Sequence, residues 1–143
     1  MNRIPRMLGA GALLGISAYG LWPKAQQQGA APSIPLQGGS IVAVNMPVIE
    51  GNAAIGQSIF EESCASCHGP DGGGVEGAGP PLVHVIYEPS HHSDESFQRA
   101  VSMGVRSHHW RFGDMPSVQG LTRGDVAMII AYIRDVQRAN GIN

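Results

Sequence analysis

Cysteine is almost absent: Cys64 and Cys67 are the only two, and both fall in one five-residue stretch. Two thiols cannot build the disulfide framework on which small secreted domains rely, so that class is excluded. Lysine is scarcer still. Its single copy, Lys24, stands with Arg3 and Arg6 at the start of the chain, and from residue 25 onward six arginines face all eleven acidic residues, a net of −5. Such an acidic, lysine-free region is a poor binder of nucleic acid and is steered toward basic or less acidic partner surfaces. Also missing are the period-two alternation of strands and any internal repeat, which leaves an all-α fold. The last absence is of polar side chains between Met7 and Trp22 (MLGAGALLGISAYGLW), where Ser17 and the Tyr19 hydroxyl are the exceptions.

After the basic start Met1 to Arg6, that apolar run reads as an export signal, which implies a periplasmic protein. No clean cleavage site follows before Gln26, and Pro23 and Pro32 interrupt the obvious choices. Residues 1–24 are therefore expected to be either a removed signal or a retained membrane anchor through residues 7–22. Residues 25–50, rich in Gln, Gly, Pro, Ala and Ser with a brief apolar patch from Ile41 to Val44, read as a flexible linker. Residues 51–143 remain for one folded domain. A domain of that size buries little of its own surface and usually needs a disulfide set, a metal or a large cofactor to complete its core.

Three main helices are predicted in it. The first covers Ala53 to Ser63, with Ile55, Ile59 and Phe60 at the spacing of one face. The stretch from Cys64 to Pro81 is too crowded with glycine and proline for regular structure. Ser93, followed by Asp94 and Glu95, predicts the N-terminus of a middle helix that turns Phe97 and Val101 inward and stops at Gly104. Thr122 and Asp125 predict a capping box for a last helix, where Val126, Ile129, Ile130, Ile133 and Val136 recur at helical spacing as far as Asn140-Gly141.

The chemistry is concentrated in Cys64-Ala65-Ser66-Cys67-His68, the pattern of covalent c-type haem attachment. Two thiols three positions apart reach the two vinyl groups on one porphyrin edge, and the next residue offers an imidazole to the iron. A thioredoxin-like redox pair, a zinc site completed by scattered histidines and a short disulfide are the competing readings. A redox pair expects a βαβ setting, whereas here a helix precedes and a glycine-rich loop follows.

From about Gly51 to its end the chain resembles the class I cytochrome c family. Gly56 and Phe60, the latter four residues before the first cysteine, resemble the family's small-and-aromatic pair, and Ile129 and Tyr132 resemble its partner pair on the last helix. Gly79-Pro80-Pro81-Leu82 is similar to the family's Gly-Pro-x-Leu segment, and Gly113-Asp114-Met115-Pro116 to the loop that supplies the iron's sixth ligand. The resemblance implies a small cytochrome c fold wrapped around one covalent haem c, with the first and last helices crossing near Gly56. It further implies His68 and Met115 as axial ligands, with the Pro80 carbonyl fixing the tautomer of His68. Cys64, Cys67, Pro80, Leu82, Trp110 and Arg111 are the other expected haem-binding residues. Trp110, with Arg106 and Arg111, stands where an indole N–H and guanidinium groups would meet haem propionates.

His84, His91, His92, His108 and His109 are more histidines than a simple carrier requires. A second histidine on the iron, an open gas-binding position and a second metal held by the two paired runs stay open, as do solvent-facing roles. The functional expectation is a non-enzymatic carrier that passes single electrons between redox protein partners, with no small-molecule substrate. The alternative is a haem-carrying subunit of a larger periplasmic oxidoreductase.

Overall fold

A computed structural model describes residues 40–143. The leader expected at residues 1–24 and the first part of the linker lie outside them. Among the described residues no helix is long and apolar enough to cross a membrane.

Among the described residues four helices follow in order: α1 (Gly51–Ser63), the single-turn α2 (Ala65–His68), α3 (Asp94–Met103) and α4 (Arg123–Ala139), with a 3₁₀ turn at Val85–Tyr87. Among the described residues there is no sheet, only isolated bridges. α4 begins where its sequence says it should. The Thr122 hydroxyl accepts from the Asp125 N–H while the Asp125 carboxylate accepts from the Thr122 N–H. These two bonds satisfy donors that a helix start otherwise leaves to water.

α1 and α4 cross at Gly56. A Cβ at that position would overlap the Met128 carbonyl and lie 2.8 Å from the Ile129 nitrogen, so the two backbones touch there. The face that α1 buries is consequently Ala53, Gly56 and Phe60. Ile55, expected on that face, is 53 % exposed, and Ile59 is half-buried. Small residues were needed at the crossing and the larger isoleucine turns away from it. Next to the crossing, Phe60 and Tyr132 meet ring to ring at 5.3 Å, both fully buried with Ile133 and Val136. The Tyr132 hydroxyl donates to the Pro70 carbonyl at 3.0 Å, tying α4 to the loop after α2. A second cluster, Val101 with Val126 and Ile130, holds α3 to α4.

The apolar patch assigned above to the linker lies against the domain. The Ile41 and Val42 N–H groups donate to the Gly73 carbonyl, both at 3.1 Å, and Val44 and Ile49 pack on the main core. Asn45 and Asn140 exchange bonds, Asn45 N–H to Asn140 Oδ1 at 2.8 Å and Asn140 Nδ2 to the Asn45 carbonyl at 2.9 Å. A few apolar side chains and two paired amides suffice to order a segment whose composition is otherwise that of a flexible chain.

Two polar residues sit on the buried stripe of α4. Arg134 follows Val126 and Ile130 at four-residue spacing, and Gln137 follows Ile133. Arg134 donates to Asp94 at 2.9 Å, to the Tyr87 and His92 carbonyls at 2.7 and 2.6 Å, and to Gln137 Oε1 at 2.6 Å. Gln137 in turn donates to the Leu82 carbonyl at 2.8 Å. Together they gather the loop from Leu82 to His92, which has little regular structure of its own. Arg134→Ala removes the donor to the part-buried His92 carbonyl and leaves the Tyr87 carbonyl only Gln137; it is expected to lower the unfolding free energy by about 3 kcal/mol, read by urea titration.

Candidate functional site

The five-residue motif is itself wound into a turn. Cys67 and His68 N–H groups both donate to the Cys64 carbonyl, at 3.1 and 3.0 Å, so the two sulfurs stand at i and i+3 on one side of α2. Gly79 lies against the back of this turn: a Cβ there would come within 2.6 Å of the Cys67 carbonyl, so only a glycine lets the loop pass. The loop then delivers the Pro80 carbonyl to His68 Nδ1 at 2.9 Å. A carbonyl only accepts, so Nδ1 carries the proton and Nε2 is left with its lone pair. Burial draws the His68 imidazole below its ordinary range, and the Pro80 bond partly offsets this. It is held neutral at physiological pH, the form that ligates a metal.

His68 opens onto a cavity of about 760 Å³. Cys64, Pro80, Leu82, Trp110 and Met115 line it as well, so this one cavity collects most of the residues singled out in the sequence. Cys67 is exposed and does not form its wall. Arg111 is exposed and does not line the cavity, while Arg106 and Arg99 do. With Trp110 turned inward, its neighbour in the chain is turned out.

Met115 reaches the cavity because its loop is pinned. Val105 and Met115 exchange both backbone hydrogen bonds at 2.9 Å, closing the segment between them into a ring at the end of α3. Gly104, at φ +76°, makes the turn into this neck, where a Cβ would meet the Met115 carbonyl. Inside the ring, Ser107 N–H donates to Asp114 at 2.8 Å and the Ser107 hydroxyl to the Trp110 carbonyl. Met103, by contrast, is 77 % exposed, so its thioether is less well fixed.

The walls suit a flat apolar ring with an acidic edge. Phe60, Leu82, Phe97 and Ile129 supply the apolar contact, and Arg99 and Arg106 supply cations. The Trp110 indole N–H is buried without a hydrogen-bond partner, a donor waiting for an acceptor inside the cavity. The nearby Tyr87 phenol is pushed up by burial.

The chemistry of the cysteines separates the competing readings. Burial, with Cys67 adding, pushes the Cys64 thiol up to about 11, so at neutral pH it is protonated. An activated redox cysteine needs the opposite shift. A zinc site at the motif would need two more converging donors. Among the described residues, the His, Cys, Asp and Glu side chains close enough to share an ion are His91, His92 and His109, on the opposite loops. His84 plays a different part: its Nδ1 accepts from the Ile86 N–H at 3.2 Å and its ring meets Trp110 edge-on at 5.2 Å.

A family model described as Cytochrome c matches residues 53–137, from the first turn of α1 almost to the end of α4. No curated protein matches the chain.

Proposed function

Because this chain belongs to the cytochrome c family and carries its covalent haem as an electron-transfer protein, we propose that it is a single-haem carrier of the periplasm, with His68 and Met115 as axial ligands. A bound haem would supply reversible one-electron chemistry at iron, and holding it with a thioether as well as an imidazole would favour the ferrous state and raise the reduction potential. Cys64 and Cys67 would hold it through thioether bonds. Pro80 keeps His68 in the tautomer that presents Nε2, and Trp110 and Arg106 receive the acidic edge that the porphyrin would otherwise bury unpaired.

The observation that carries this reading is the shared cavity: one wall holds His68 locked by Pro80, and the same cavity takes in Met115 from a loop closed at its base. With His68 and Met115 both holding the iron, no position would be left for a substrate, and the chain would act as a carrier. The basic start and the apolar run from Met7 to Trp22 support delivery to the periplasm, where the partners are redox proteins.

Met115→Ala tests the ligand assignment. The sulfur-to-iron charge-transfer band of the oxidised protein is expected to vanish, and the reduced variant is expected to bind carbon monoxide at neutral pH where the parent does not. Persistence of the band would assign the sixth position to another methionine. A parent spectrum with no such band would point to one of the histidines that line the cavity.

A further inference from the structure

His91 and His92 stand between the 3₁₀ turn and α3, and His108 and His109 inside the ring closed by Val105 and Met115; no hydrogen-bond ladder forces the two pairs together. They nevertheless meet. His91 Nε2 and His109 Nε2 are 3.4 Å apart, and the His92 ring lies 5.2 Å from that of His109. One ring nitrogen from each of His91, His92 and His109 falls within 4.8 Å of the other two.

From this we infer a second metal site: His91, His92 and His109 together bind one divalent first-row transition ion at the rim of the haem cavity. Nitrogen donors at about 2.05 Å around a tetrahedral ion stand about 3.3 Å from each other. The His91–His109 separation already has that value. The remaining separations close through rotation of the exposed His91 and His109 side chains toward His92.

The supporting bonds are in place too. Metal-binding imidazoles characteristically donate their other ring N–H to a carbonyl or carboxylate, which fixes the tautomer. His92 Nδ1 donates to the Ile86 carbonyl at 2.6 Å, leaving Nε2 as the free donor atom. His108 Nδ1 does the same to the Arg106 carbonyl at 2.8 Å, and its ring lies 4.2 Å from that of His109, so a fourth imidazole stands beside the three. One nearby positive charge, Arg134, is bonded to the His92 carbonyl but is paired with Asp94 at 2.9 Å, which limits its repulsion of a cation. Three imidazoles and no thiolate select a borderline ion, and among copper(II), nickel(II) and zinc(II) the copper ion is bound tightest.

The test uses the haem-loaded protein, stripped with a chelator and titrated with copper(II) or zinc(II) by calorimetry. One ion per chain is expected at micromolar concentration or below, with copper(II) the tighter. The electron paramagnetic resonance spectrum of the copper-loaded protein should show splitting by several equivalent nitrogens. His91→Gln with His109→Gln should weaken binding by at least about 100-fold, since loss of supporting bonds alone costs metal sites about 10- to 100-fold. Both side chains are exposed, and bound haem in the variant reports that the fold survives. No saturable binding by the parent, a copper spectrum without nitrogen splitting, or equal affinity in the double variant would each overturn the site. None of these results bears on Met115, so the ligand assignment stands or falls separately.

Discussion

A chain carrying Cys64→Ala and Cys67→Ala is expected to retain no haem on a denaturing gel and to lose cooperative thermal unfolding by circular dichroism. The reason is the size of what would be left unfilled. A space of about 760 Å³ walled by Phe60, Leu82, Phe97 and Ile129 would be left to water, in a domain whose whole margin is about 5–15 kcal/mol. Haem in this protein is as much core as cofactor. A double variant that kept a covalent pigment, or one that melted as the parent does, would refute attachment at these cysteines.

Gly56→Val is the second large effect. The added side chain meets the Met128 carbonyl and the Ile129 nitrogen, which are backbone and cannot rotate aside. α1 and α4 must separate, loosening Phe60 from Tyr132 and with it the cavity wall behind the haem. A loss on the order of 5 kcal/mol is expected from denaturant unfolding, above the usual range for overpacking because the obstacle is rigid. Gly124→Ala is the control. That glycine lies in the first turn of α4, and its added methyl meets only the Thr122 hydroxyl at 3.5 Å. Its stability should stay within about 1 kcal/mol of the parent. If Gly56→Val behaved the same way, the crossing would lie elsewhere.

What was legible in the sequence is what local patterns encode. α4 was readable because five apolar residues repeat along it and Thr122 and Asp125 announce its start. The five-residue motif was readable because its spacing is fixed by covalent chemistry. The buried face of α1 was misread, since a hydrophobic pattern rewards Ile55 and passes over Ala53 and Gly56, whereas close crossing of two backbones requires the small residues. Arg106 and Arg111 were both expected beside Trp110, and nothing local says which arginine of a short loop lines the cavity; Arg106 does. Arg134 and Gln137 were on the stripe all along, but polar residues in an apolar register are easily discounted. The histidine cluster joins two loops that are separated in the sequence by α3, so neither paired run discloses the other.

The neck at Val105 and Met115 makes a lasso of the segment it closes. Because the knot is formed by backbone groups, the contents of the noose can be exchanged without moving the point where the thioether is presented. His109 and Trp110 ride in that noose, one at the imidazole cluster and the other on the cavity wall. Tightening or slackening it is therefore felt at two places at once, while the paired backbone that holds Met115 stays tied.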